Sequence, residues 1–153
     1  MTDKEEIKDG LIEEFHDNGQ LQSKVNYKNG IKHGVYETYY DNGQLWRREN
    51  YKNGVAHGLQ ESYFENGQLS DIYNCNDGNL HGLYEEYYIN GQLEYRGYWK
   101  DQEEVGRVER YDENGKDISN GSFIKYFHNG NLHSKGNYKD GNHHGLFETF
   151  HEN

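Results

Sequence analysis

Nine histidines and one cysteine are the residues of this chain best suited to metal binding or to acid, base and nucleophile chemistry. Four of the histidines precede glycine, at His33-Gly34, His57-Gly58, His81-Gly82 and His144-Gly145. Equivalent histidines 24 residues apart would be separated by two strand widths, about 9–10 Å, too far to share one ion. A structural role at turns, or hydrogen bonding to asparagine, is therefore expected, and no metal site. His143, His144 and His151 are the only local cluster and read as exposed surface. Glu13, Glu37, Glu61, Glu85, Glu109 and Glu148 recur at one repeated position. A catalytic carboxyl pair needs two different environments, and repetition supplies identical ones. Cys75 stands where Tyr27, Tyr51 and Trp99 stand in other units, so it reads as a small core substitute with no paired base. No glycine motif has phosphate-loop spacing or opens a helix. The expectation is a protein that is not an enzyme and uses no cofactor.

These residues are carried by a repeat. Asn-Gly-Gln-Leu occurs at Asn18–Leu21, Asn42–Leu45, Asn66–Leu69 and Asn90–Leu93, with a period of 24 residues. Asn114-Gly115 keeps the period, and Asn129-Gly130-Asn131-Leu132 resumes it after a unit shortened to 15 residues. Gly10, Gly106 and Gly121 take the place of His-Gly in the remaining units. Asn-Tyr-Lys-(Asn or Asp)-Gly recurs at Asn26–Gly30, Asn50–Gly54 and Asn137–Gly141. A fixed period of this length marks a repeat array. Asn-Gly between alternating residues predicts a two-residue type I′ hairpin with both turn residues at positive φ. Applied to Asn42-Gly43 and to Asn53-Gly54, the rule predicts two turns and two strands per unit. About 12 antiparallel strands at ~4.8 Å each would extend about 55 Å.

A two-residue turn at Asn42-Gly43 opposes Glu37 to Arg48, Glu13 to Lys24 and Glu85 to Arg96, favourable cross-strand pairs. A turn at Asn53-Gly54 opposes Asn50 to His57, and likewise Asn26 to His33, Asn74 to His81 and Asn137 to His144. One face then carries Tyr36, Thr38, Tyr40, Leu45 and Tyr51, with equivalents Tyr84, Tyr88, Leu93 and Trp99. The other carries Val35, Glu37, Tyr39, Trp46, Arg48 and Asn50. The first is the more apolar and is expected to be the packed or concave side. Tyr39, Tyr63, Tyr87, Tyr111 and Tyr126, with Phe15 and Phe150, form a repeated aromatic position suited to ladder packing. Gly34, Gly43, Gly58, Gly67, Gly82 and Gly91, with Asn42, Leu45, Tyr51 and Trp99, complete the structural set.

Leu, Ile, Val and Phe together make less than a fifth of the 153 residues, and the net charge is −11. Such a composition ordinarily means disorder. Fifteen tyrosines and the absence of proline argue instead for an ordered fold with a small, aromatic core. No run is apolar and long enough for a membrane-spanning helix, the acidic start does not read as a secretory signal, and one cysteine fits a reducing compartment, so a cytoplasmic setting is expected. The acidic balance argues against nucleic acid and against anionic membrane surfaces, and favours a basic protein partner. Open sheet edges leave homodimerisation available.

Constant positions frame columns that vary, as in other repeat binders. Gln22, Trp46, Ser70, Glu94 and His133 form one varying column; Ser23, Arg47, Asp71, Tyr95 and Ser134 form the next. Trp46 and Tyr95 are expected anchors, since Trp and Tyr are enriched at hot spots. Arg47, Asp71 and Glu94 stand beside them. The acidic groups Glu85-Glu86 and Asp101–Glu104, including Glu103 and Glu104, are expected to meet lysine or arginine of a partner.

The succession Tyr27-Lys28-Asn29-Gly30-Ile31-Lys32-His33-Gly34, then Tyr39-Tyr40-Asp41-Asn42-Gly43-Gln44-Leu45, resembles a MORN repeat, and more closely the bacterial variant found in YwqK-like antitoxin or immunity proteins. The resemblance implies an all-β, elongated, single-layer antiparallel meander of hairpin repeats. It also implies a protein that neutralises a toxin encoded alongside it, by direct binding, and the acidic charge makes a basic toxin domain the expected target; a MORN-type scaffold for protein or peripheral membrane association is the alternative. Residues 1–9 form an extension or cap, and 10–153 the array, irregular and shortened around 99–121. There Val105-Gly106 replaces His-Gly, and Asn114-Gly115-Lys116-Asp117 replaces Asn-Gly-Gln-Leu.

Overall fold

Two turn types alternate along the chain and build everything else. A computed structural model describes residues 9–126 and 131–151, with only the backbone of Arg107 and Tyr126. Nine strands follow one another in an open antiparallel sheet: β1 (Gly10–Phe15), β2 (Leu21–Lys28), β3 (Ile31–Tyr39), β4 (Leu45–Lys52), β5 (Val55–Tyr63), β6 (Leu69–Asn76), β7 (Asn79–Tyr87), β8 (Leu93–Lys100) and β9 (Glu103–Arg110). A second sheet holds β10 (Gly121–Tyr126), β11 (Leu132–Lys139) and two short strands, β12 (Asn142–His143) and β13 (Glu148–Thr149), which pair with β11. No helix occurs among the described residues. The all-β antiparallel meander expected from the repeat is the fold. A single uninterrupted sheet of about 12 strands is not, because it divides after β9.

The Asn53-Gly54 turn is the expected type I′ hairpin, with both residues at positive φ (53° and 81°). Asn29-Gly30, Asp77-Gly78 and Asp140-Gly141 match it, and Asp101-Gln102 does so without a glycine. The Asn42-Gly43 turn is different. Only Gly43 has positive φ, Gly43 N–H donates to Tyr40 C=O, and Tyr40 N–H donates to Gln44 C=O, both at 2.8 Å. The loop therefore has three residues, Asp41-Asn42-Gly43, ending in a left-handed glycine. A longer loop should offset the pairing, yet Glu37 still faces Arg48, Glu13 faces Lys24 and Glu85 faces Arg96. The compensation is a β-bulge: Tyr39 faces Leu45 and Thr38 faces Arg47, leaving Trp46 as the extra residue. Gln22, Ser70, Glu94 and His133 are the extra residues in the equivalent ladders. The bulge corrects two face assignments. Leu45 and Leu93 lie on the side of Tyr39 and Tyr87, not with Tyr36 and Tyr84. Trp46 packs under the guanidinium of Arg47 (4.7 Å) and against Tyr40, not beside Arg48.

The His-Gly pairs make a second irregularity. Between Glu49↔Gln60 and Tyr51↔Ala56 the ladder sets Asn50 against three residues, His57, Gly58 and Leu59. Asn50 is thus not paired with His57; its Nδ2 donates to Leu59 C=O at 2.5 Å. The same break separates Asn26 from His33 and Asn74 from His81. In the last unit Asn137 instead receives the backbone N–H of His144. Gly34, Gly58 and Gly82 have φ of 84–91°, a conformation side chains with Cβ rarely adopt. The histidines reach forward 20 residues: His33 Nδ1 accepts from Asn53 N–H at 3.5 Å, and His57 Nδ1 lies 3.5 Å from Asp77.

Successive loops are tied in the same way. Asn42 Oδ1 accepts from Gln44 N–H, while Asn42 Nδ2 donates to Glu65 C=O in the next loop. Asn18, Asn66 and Asn90 repeat this double role. Tyr40 and Tyr88 hydroxyls donate to the carbonyls of Tyr63 and Tyr111.

The division falls where the sequence is short. After the loop at Asn114 the chain makes one bridge, Tyr111↔Asp117, and Ile118 N–H donates to Arg110 C=O. Ser119, 1% exposed, then closes the end of β9 by donating and accepting with the Arg110 backbone. Ser119 C=O receives Gly141 N–H, as Lys32 C=O receives Gly54 N–H in a regular unit. The deletion has therefore removed a whole return strand and its turn, so β10 cannot pair antiparallel with β9. The Asn129-Gly130 turn and the 1–8 part of the expected extension lie outside the described residues.

Candidate functional site

Cross-strand register sorts the side chains of the nine-stranded sheet into two faces that treat their carboxylates differently. On one face Glu13, Lys24, Glu37, Arg48, Glu61, Ile72, Glu85, Arg96 and Glu109 form a row across nine strands. Four of its five carboxylates are held in ion pairs within the row. Glu37 is 7% exposed and receives Lys24 at 2.6 Å, Arg48 at 2.8 Å and the Tyr39 hydroxyl at 2.8 Å. Burial works to raise the Glu37 pKa, but the hydrogen bonds from Lys24, Arg48 and Tyr39 outweigh it and hold it at about 2. Arg48 also reaches Glu61 (3.4 Å), and Arg96 joins Glu85 (2.7 Å) to Glu109 (3.3 Å). The tyrosines at the repeated position, among them Tyr39 and Tyr87, lean into this row and donate to its carboxylates. Tyr63 is coupled in the same way to Glu61.

The opposite face carries Glu14, Ser23, Thr38, Arg47, Ser62, Asp71, Glu86, Tyr95 and Arg110 in one row, and Val25, Tyr36, Glu49, Gln60, Tyr73 and Tyr84 in the next. None of Glu14, Glu49, Asp71 and Glu86 has an ion-pair partner among the described residues. Arg47, the cation nearest to them in register, is turned onto Trp46. Glu14, Asp71 and Glu86 accept only hydroxyl donors, from Ser23, from Ser62 and Ser70, and from Tyr84. Glu49 is half-buried, and its carboxylate makes no hydrogen bond among the described residues.

This is the side that carries Tyr36 and Tyr84. A groove of about 360 Å³ opens over its middle, lined chiefly by Arg47, Glu49, Gln60, Asp71, Tyr73 and Tyr84, with Leu80 at one end. Tyr73 and Tyr84 form one wall, ring centroids 5.5 Å apart. Burial, then the hydrogen bond to Glu86, pushes the Tyr84 hydroxyl far above its ordinary range, so it stays a neutral donor. Burial and then Glu49 raise the Cys75 thiol, which keeps its proton. No group of three His, Cys, Asp or Glu residues among those described could hold a metal ion. The groove offers carboxylates, hydroxyls and ring faces to a cation.

The residues expected to bind a partner divide over these surfaces. Arg47 and Asp71 line the groove, and Glu86 faces Asp71 across the strand pair. Trp46 is 41% exposed at its bulge. Tyr95 is not an exposed anchor: it is 5% exposed, beneath Arg110 (4.6 Å) and edge-on to Tyr84, with its hydroxyl on Glu104. Glu85 is on the opposite face, committed to Arg96 and Tyr87, and Glu94 is paired with Lys125. Asp101 is a turn residue and Glu103 faces Lys100. Sequence reasoning missed Glu49, Gln60, Tyr73 and Tyr84 as one site. Their signal was variation at two columns, Val25/Glu49/Tyr73/Gly97 and Tyr36/Gln60/Tyr84/Val108.

A family model described as a MORN repeat variant matches residues 8–29, 32–53, 56–74, 80–101 and 119–140. The segment it omits between the last two contains β9 and the loop at Asn114. No curated protein matches the chain.

Proposed function

The chain belongs to the MORN repeat variant family, a repeat scaffold suited to binding, and from that premise we propose that it captures a basic protein partner on its grooved face and acts as an antitoxin or immunity protein. The observation that carries this reading is the contrast between the faces. One ties Glu37, Glu61, Glu85 and Glu109 into cross-strand ion pairs with Lys24, Arg48 and Arg96; the other presents Glu14, Glu49, Asp71 and Glu86 with no ion pair among the described residues. Unpaired carboxylates on a preformed sheet face speed and orient the approach of a lysine- and arginine-rich surface. They repel nucleic acid and anionic lipid. Rapid capture suits an inhibitor that must meet its toxin before the toxin acts. On this reading the protein works in the cytoplasm, where Cys75 stays reduced.

Co-expression tests it. The chain should restore growth to cells producing the basic toxin encoded beside it, and should co-purify with that toxin in a complex weakened by salt. A neighbouring product that is harmless, with a chain that only self-associates through its sheet edges, would overturn the reading in favour of a scaffold.

A further inference from the structure

On the grooved face, tyrosine rings hold the chain's own cations on both sides of the groove. The Lys32 ammonium lies 3.7 Å from the Tyr36 ring centroid and 5.2 Å from that of Tyr51. The Arg110 guanidinium lies between Tyr95 (4.6 Å) and Tyr138 (4.8 Å). Between these two places stand Tyr73 and Tyr84, over which no cation of the described residues lies. The repeat explains the difference. Tyr84 is the counterpart of Tyr36 two units on, and the counterpart of Lys32 is Leu80. The groove opens at this substitution, with Leu80, Tyr73 and Tyr84 in its lining and the carboxylates of Glu49 and Asp71 beside them.

We propose that the groove receives an arginine side chain of the protein partner, its guanidinium stacked on the Tyr73–Tyr84 wall and paired with Glu49 and Asp71, its stem lying on Leu80. The inference rests on the reading of a basic protein partner and names the group it inserts. Arginine fits better than lysine because a planar guanidinium stacks on a ring and forks toward carboxylates, whereas an ammonium is a compact, strongly hydrated charge. The incoming cation does for Tyr84 what Lys32 does for Tyr36.

Titration of the whole chain with tetra-arginine amide, followed by NMR of ¹³C-labelled tyrosine rings, tests this. Tyr73 and Tyr84 should shift together, with tetra-lysine amide binding more weakly. Leu80→Lys, which restores the internal cation, and Glu49→Gln, which removes the unpaired carboxylate, should each weaken binding about tenfold or more. The ring spectrum itself reports that each variant is folded. Absence of shifts at Tyr73 and Tyr84, binding untouched by both variants, or equal binding of tetra-lysine overturns the proposal. If tetra-arginine seats in the groove but no basic toxin is captured, the groove assignment stands and the antitoxin reading fails. If the toxin is captured with undiminished affinity by both variants, the reverse holds.

Discussion

The nine-stranded sheet and the terminal sheet solve the same problem by different means. Both are built from short strands with very few aliphatic residues. The long sheet relies on repetition: asparagine side chains link each loop to the next, histidines reach from one unit to the next turn, and alternating charges bridge adjacent strands. No single contact there is indispensable, because the next unit repeats it. The terminal sheet has few strand neighbours and relies on one aromatic stack. Phe123 lies 4.5 Å from Tyr138, Tyr138 4.9 Å from His143, and His143 4.2 Å from Phe147. It joins the long sheet through a few contacts, among them Arg110 Nε on Gly141 C=O (2.7 Å) and Lys125 on Glu94. Distributed contacts tolerate local loss; a concentrated cluster does not.

The largest expected effect comes at the joint. Gly141 has φ of 79°, and a Cβ there would overlap both the side chain and the carbonyl of Val108, which is 1% exposed. Gly141→Ala should cost about 3–5 kcal/mol and separate the terminal sheet from β9, measured by urea unfolding. Gly19→Ala in the long sheet has the same backbone conformation but open space, and should cost only about 1–2 kcal/mol.

Acid should act on the two sheets in different windows. Burial, then the charges of Arg110 and Lys125, lowers the His143 pKa below 6.5. The unfolded chain then binds the extra proton first, so the terminal sheet weakens as pH falls below 6.5. Glu37 titrates at about 2 in the fold against 4.5 ordinarily, so its contribution is complete above 4.5 and is lost between 4.5 and about 2. Hydrogen exchange at pH 5 should find β11 less protected than at pH 7 and β3–β4 unchanged. Simultaneous loss in both sheets would break the distinction.

Two smaller changes should strengthen the long sheet. Gln102 has φ of 70° in the one type I′ turn of that sheet without glycine, and Gln102→Gly should add about 1 kcal/mol of thermal stability. Ile72 interrupts the charge row between Glu61 and Glu85. Ile72→Arg should complete it and add about 0.5 kcal/mol, visible as a small rise in Tm.

Much of this organisation was legible in the residue order. The period, the strands, the Asn53-Gly54 turn and the Glu37–Arg48, Glu13–Lys24 and Glu85–Arg96 pairs all follow from it. The charge pairs came out right although the turn behind them was misread. A three-residue loop shifts the register by one, and the bulge at Trp46 shifts it back. Pairing alone cannot distinguish that combination from a simple two-residue turn, but the faces differ, and so Leu45 and Trp46 were misplaced. The short unit was visible as an irregularity, yet only topology shows that it removes a return strand and ends the sheet. The groove was the least legible part. Tyr73 and Glu49 occupy equivalent positions one unit apart, and what matters there is the absence of a lysine at Leu80.

The two faces give the most direct test. Affinity for the co-expressed basic toxin should be measured for Asp71→Asn with Glu86→Gln on the grooved face, and for Glu61→Gln with Glu109→Gln in the charge row opposite. The first pair should weaken binding about tenfold or more, and the second should leave it within about twofold. Equal losses from both pairs, or a larger loss from the second, would contradict the assignment of the grooved face as the binding surface.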